Sequence, residues 1–106
     1  MTAQKYLAWM HAKWGALDDT QLACQCTRFS VEMKRQFPEL LLMSGTIVTE
    51  CGQSYVHTWL QTPGEGTTIL DPTERQFPSL VAEYDASDWD SSEPGVNAKV
   101  NDLLGL

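Results

Sequence analysis

An α+β fold, with N-terminal helices packed on an antiparallel β-sheet, is the class this sequence predicts. Up to Phe37 the apolar residues recur at helical spacing, and from Leu40 onward β-branched and aromatic residues take over with a period of two. The breaks between the later segments are short and rich in glycine. Helices first and a meander of strands afterwards is the pattern of a sheet covered on one side. A chain of 106 residues supports one hydrophobic core but not two. The expected organisation is a single domain over residues 1–106, with a helical part (1–37), an antiparallel sheet (40–84) and an acidic C-terminal tail (85–106).

Residues 3 to 14 predict the first helix, because Tyr6, Met10 and Trp14 recur every four positions with Leu7 and Trp9 beside them, and Gly15 stops it. His11 lies beside this stripe with no partner in sight and reads as surface decoration. The second helix ends at Phe37, before Pro38. Its apolar positions are Cys26, Phe29, Met33 and Phe37, with Arg28, Glu32, Lys34 and Arg35 between them. Its start has two readings. Asp18 followed by Gln21 resembles a capping box, which starts the helix early and buries Cys26 in its middle. Alternatively "ALDDTQLAC" is a loop, the helix begins near Cys24, and Cys26 sits in the first turn.

The period then changes. "LLLMSGTIVTE" (40–50) is a strand and "CGQS" a turn, while "YVHTWLQ" (55–61) and "TTILD" (67–71) are two more strands joined by "TPGEG". After "PTERQF", the segment "PSLVAEY" offers a short strand, "DASDWDSSEPG" reads as loop, and "VNAKVNDLLGL" as a weakly amphipathic ending.

Composition narrows the function classes. A net charge of −7 disfavours nucleic acid, whose phosphates are bound by lysine and arginine. The excess is local: Glu83, Asp85, Asp88, Asp90, Glu93 and Asp102 stand against Lys99 alone, as on a solvated surface. No run approaches the ~20 apolar residues of a membrane span. The opening "MTAQKYLAWMHAKWG" lacks the pattern of a signal peptide. These features predict a cytoplasmic protein with reduced thiols at Cys24, Cys26 and Cys51.

The hairpin carries the chemistry. Alternation puts Tyr55, His57 and Trp59 on one face of their strand. If Thr62 to Gly66 form the loop, Gln61 pairs with Thr67, Trp59 with Ile69, and His57 with Asp71. Directly opposed residues share a face, with Cβ atoms ~4.5–5.5 Å apart. A slip of one residue separates them. An aspartate beside a histidine fixes its tautomer and favours its protonated form. Two readings follow: a structural pair half-buried under Trp59, or part of a catalytic site.

The catalytic reading needs a nucleophile. Cys26 lies on the apolar side of the second helix, and if that helix covers the face bearing His57, sulfur and imidazole meet. An imidazolium and a helix N-terminus both lower a thiol pKa from about 8.5. The alternative is that Cys26 is an inert core thiol. Cys24 falls on another side of any helix, and Cys51 precedes Gly52 at a turn. Cys24, Cys26, Cys51 and His57 make a nominal zinc set, but without the paired spacing of structural sites, so no metal or other cofactor is expected.

A cysteine opening a helix that ends in Phe37-Pro38, then His57-Thr58-Trp59, then Asp71-Pro72-Thr73-Glu74-Arg75-Gln76-Phe77, resembles small bacterial and phage proteins of the papain-like (transglutaminase-like) cysteine-hydrolase superfamily. Those carry Cys-x-x-x-Ser/Thr, here Cys26-Thr27-Arg28-Phe29-Ser30, then His-x-Trp and Asp-Pro-Thr-x-x-Gln-Phe. The match spans residues 22 to about 80. The resemblance implies a minimal papain-like fold with Cys26 as nucleophile, His57 as base and Asp71 as its orienter. It also implies an oxyanion glutamine upstream of the cysteine, for which Gln21 and Gln25 are the candidates, neither at a diagnostic spacing. Many members of the group have no established activity.

The function expected is therefore a cysteine hydrolase or acyl transferase acting on a peptide or other amide, thioester or isopeptide-type bond, with Tyr55 and Trp59 walling the cleft. The rival is a non-catalytic scaffold of the same shape that binds a protein. A small chain has little material for a groove, so a homodimer that completes one is a further expectation.

Overall fold

The computed structural model describes residues 3–64, 67–77 and 79–106. Glu65 and Gly66, assigned above to the hairpin loop, Pro78, assigned to a short strand, and Met1 and Thr2 lie outside the described residues. The elements are α1 (Gln4–Trp14), α2 (Asp19–Leu22), α3 (Cys26–Gln36), β1 (Leu41–Thr49), β2 (Ser54–Gln61) and β3 (Ile69–Leu70). A 3₁₀ turn (Glu74–Gln76), β4 (Val81–Asp90) and α4 (Pro94–Leu104) complete the chain. The α+β class holds: helices accompany a four-stranded antiparallel sheet of order β3-β2-β1-β4.

Each reading of the second helix is right in part. The capping box forms, with the Gln21 N–H donating to Asp18 Oδ1 at 2.8 Å and the Asp18 N–H to Gln21 Oε1 at 3.0 Å. It opens only the single turn of α2. The chain then swings through Cys24, whose φ of 63° is left-handed, and α3 starts afresh at Cys26. At the other end Phe37 leaves helical angles ahead of Pro38. Lys34 is fully buried there and donates to the carbonyls of Pro38 (3.0 Å) and Leu40 (2.6 Å), tying the end of α3 to the start of β1.

The alternation along β1 and β2 produces two apolar layers. Leu42, Leu60 and Leu70 face Phe29 and Met33 of α3, Tyr6 and Trp14 of α1, and Val100 of α4. Trp14 stacks on Phe29 with centroids 4.6 Å apart. The opposite layer is Met43, Ile47 and Trp59, closed by Tyr55, Phe77 and Tyr84.

The expected tail is a correction. Residues 85–106 are not an appendage, and the sheet does not stop at 84. β4 runs to Asp90 and pairs with β1 along its length, and α4 packs Val100 into the core. Backbone demand explains this, since β1 has two sides and β2 satisfies only one. Gly45 makes the pairing close. A Cβ there would run into the Asp85 carbonyl and the Ser87 nitrogen, and the β1–β4 register shifts at this point, between Ser44 and Thr46. Pro94 in the first turn and Gly105, at φ 73°, bound α4.

Candidate active site

The hairpin register differs from the expected one by two residues. Gln61 pairs with Ile69 and Leu60 with Leu70, and the Thr62 N–H donates to the Thr68 carbonyl at 3.0 Å. The loop is thus 62–68, longer than 62–66. A slip of two, unlike a slip of one, preserves parity. Asp71 stays on the face of His57 and Trp59 but lies level with Trp59 rather than with His57. The imidazole reaches along the strand to it, and His57 Nε2 donates to Asp71 Oδ2 at 2.8 Å.

Pro72 decides what happens next. Hydrogen-bonded rungs at Thr62/Thr68 and Leu60/Leu70 make Thr58/Pro72 the next one, and a proline has no N–H to give. β3 therefore ends at Leu70, and the backbone of Thr58 faces an open edge. The first turns of α3 occupy that edge. Ser30 Oγ donates to the Thr58 carbonyl at 3.4 Å, Thr27 Oγ1 lies 3.2 Å from Thr58 Oγ1, and the Thr58 N–H is directed to the Cys26 thiol.

This geometry corrects the expected docking. α3 packs on the layer of Leu60, opposite the face bearing His57. Cys26 comes round the unpaired edge of β2, close enough to the imidazole for His57 to be a principal influence on its thiol. The sulfur lies 3.9 Å from Thr27 Oγ1. With Nε2 committed to Asp71, the ring nitrogen left for the thiol is Nδ1.

Asp71 is buried and fully occupied. Its Oδ2 accepts from His57 and also from the Tyr84 hydroxyl at 2.8 Å, and its Oδ1 accepts from the Thr73 N–H at 3.2 Å. The imidazole lies between Trp59, near-parallel at 6.2 Å, and Phe77, edge-on at 4.9 Å. Sequence reasoning missed Tyr84. The signal was there in the alternation of Ala82, Tyr84 and Ala86 with Glu83, Asp85 and Ser87, hidden by the charge of the second set.

The electrostatics follow from these contacts. Burial pushes the Cys26 thiol up, but the hydrogen bond from His57, the Thr58 N–H, the imidazolium charge and Thr27 together outweigh it and bring the thiol down to about 7. Burial likewise opposes the charge on His57, yet the Asp71 hydrogen bond and the Cys26 sulfur raise its pKa to about 9. Burial and the Asp71 carboxylate push the Tyr84 phenol far up, so it stays a donor. α3 also begins without a side-chain cap, so the N–H groups of its first turn, Cys26 among them, have no intrahelical partner. They point positive dipoles at any charge developing beside the sulfur.

The remaining predicted residues are placed as follows. Trp59 is fully buried and stacks behind the imidazole; among the described residues its indole nitrogen has no hydrogen-bond partner. Tyr55 is half-buried against Phe77, 5.0 Å away, with its hydroxyl on Gln53. Gln21 spends its side-chain oxygen on the capping box, and Gln25, the residue before α3, accepts from Arg28 at 3.4 Å. The glutamine that does brace the site is Gln76, whose oxygen accepts the Cys24 N–H (3.3 Å) and whose nitrogen donates to Thr73 (2.8 Å). It links the turn before Cys26 to the turn after Asp71. Cys24, Cys26 and Cys51 are free thiols, and among the described residues no group of three or more His, Cys, Asp and Glu is arranged to hold a metal. No described helix is long and apolar enough to cross a membrane.

Comparison with family models, with curated proteins and with solved structures gives no significant match to this chain.

Proposed function

We propose that the protein is a cysteine hydrolase or acyl transferase that works through Cys26, His57 and Asp71 on a peptide or other amide, thioester or isopeptide-type bond. One observation carries the reading: a half-buried thiol at an uncapped helix start lies beside an imidazole whose Nε2 is bound to a buried carboxylate at 2.8 Å. The chain order Cys, His, Asp and the helix laid on an antiparallel sheet support assignment to the papain-like architecture. Reduced thiols accord with a cytoplasmic location.

The steps balance as follows. The Cys26 thiolate attacks the carbonyl carbon, and the oxyanion is met by the Cys26 N–H at the start of α3. The imidazolium gives its Nδ1 proton to the leaving amine or thiolate, and the acyl group stays on sulfur. Neutral His57 then takes a proton from water, or from an acceptor amine. The second tetrahedral adduct collapses and releases the acid or the new amide, with the thiolate restored. Asp71 keeps its charge throughout and holds the ring, steadied by Tyr84.

The test uses a generic activated thioester. The native protein is expected to accumulate a covalent acyl adduct on Cys26, seen by intact mass, and to release product catalytically. Cys26→Ala abolishes both, and Cys24→Ala neither. A native protein whose three thiols acylate at equal rates, with no turnover, overturns the enzyme and leaves the binding scaffold.

A further inference from the structure

Neither His57 nor Asp71 is exposed, so a substrate must approach from the side of Cys26. A groove of about 510 Å³ opens beside Thr27, whose hydroxyl lies 3.9 Å from the Cys26 sulfur. Thr27 and Thr58 form its near wall, on the sheet face opposite His57; Ser44 and Ser87 continue it, and Asp88 and Trp89 form its outer part. A second hollow of about 230 Å³ shares Asp88 and Trp89 and extends to Gly95, Val96 and Lys99 at the start of α4. Joined at Asp88 and Trp89, the two make a trench from Thr27, the neighbour of Cys26, to the start of α4.

Hydroxyls line the inner trench, and Asp88 is the one acidic or basic residue among the described lining residues of the larger groove. Among the described residues Asp88 forms no ion pair, although Lys99 shares the outer hollow with it. Trp89 beside it leaves 37% of its surface in water. A carboxylate and a partly exposed indole lining one hollow can together recognise an organic cation, by charge and by the ring quadrupole. Glu83, Asp85, Asp90 and Glu93, on the same strand and the turn after it, add to the negative charge of this side of the molecule, although the first three line a separate hollow with Met43 and Trp59.

We propose, on the premise that Cys26 is the nucleophile, that this trench selects substrates in which a lysine, arginine or other amine-type cation lies within a few residues of the scissile bond, held by Asp88 and Trp89. The cation is a specificity element, and the reaction at the carbonyl is unchanged.

Two series of alkylating peptides test this, both on a Cys24→Ser/Cys51→Ser background. Peptidyl chloromethyl ketones place residues on the acyl side of Cys26, and chloroacetyl peptides place them on the leaving-group side. Each series carries arginine, its neutral isostere citrulline, or glutamate at one, two or three residues from the warhead. In one series arginine is expected to react about tenfold faster than citrulline, and glutamate slower still. Asp88→Asn collapses that ratio, and Asp88→Lys inverts it in favour of glutamate, an outcome misfolding does not produce. Asp102→Asn, away on α4, keeps it. Iodoacetamide, which needs no groove, separates the two ideas. If it labels Cys26 rapidly while both series ignore the side chain, the trench proposal is wrong and the nucleophile stands. A ratio lost equally in Asp102→Asn assigns the effect to net charge and also overturns the proposal. An inert Cys26 removes both.

Discussion

Replacing His57 with alanine is expected to shift the alkylation profile of Cys26 by nearly its full displacement. The intact site holds the thiol at about 7 against an ordinary value of 9.0. At pH 7 that makes about half of it thiolate, against about 1% for an ordinary thiol, a gain of about fiftyfold in the reactive form. A less basic thiolate is intrinsically slower; with a Brønsted slope near 0.45, two units cost about eightfold. The net advantage at pH 7 is about sixfold, smaller than the change in ionisation alone. Without His57 the Thr58 N–H and Thr27 remain, but burial still opposes the charge, so the midpoint moves back toward 9. The measurement is iodoacetamide incorporation by intact mass from about pH 5 to pH 10 in the Cys24→Ser/Cys51→Ser background. That background is needed because hydrogen bonds from Ser79 and Thr49 also lower the Cys51 thiol. A parent midpoint near 9, or one near 7 that His57→Ala leaves in place, refutes the coupling.

Turnover on a thioester should be bell-shaped in pH, rising as Cys26 loses its proton near 7 and falling as His57 loses its own near 9; a single rising limb means no imidazolium is required. Tyr84→Phe deprives a buried carboxylate of one donor and should cost about 1.5–3 kcal/mol in urea unfolding. Gly45→Ala forces a methyl against the backbone of Asp85 and Ser87 and should cost about 2 kcal/mol or more; a melting temperature within a degree of the parent refutes the close approach of β4. Cys24→Val puts a β-branched side chain at φ 63° and should destabilise by about 1 kcal/mol, with Cys24→Gly well tolerated in the same calorimetric scan.

The β2–β3 hairpin was legible because parity is robust. The loop length was misjudged by two, and His57 and Asp71 still fell on one face, since only odd slips exchange faces. The start of α3 at Cys26 was legible only as one of two options, because a capping box such as that of Asp18 and Gln21 announces a helix without saying how soon it stops. The side on which α3 docks was not legible. It depends on an edge left open by Pro72, whose effect appears only once the hydrogen-bonding parity of Thr58 is known. Only the first part of β4 was read as a short strand, ending at Tyr84; residues 85–90 were read as loop and tail because composition outweighed the period-two pattern. With its pairing to β1 unseen, Tyr84 could not be placed beside Asp71.

The position of β4 also bears on how the molecule behaves in crowded solution. It forms one margin of the sheet, and its ten residues have a hydrogen-bonded neighbour on one side only. Bare main-chain groups in such a row invite a strand from another molecule to add on. Here Glu83, Asp85, Asp88 and Asp90 line that row, so two copies meeting margin to margin would set like charges about 5 Å apart. The same charges that make this strand look like a loop in the sequence thus guard the one long margin of the sheet against a second copy.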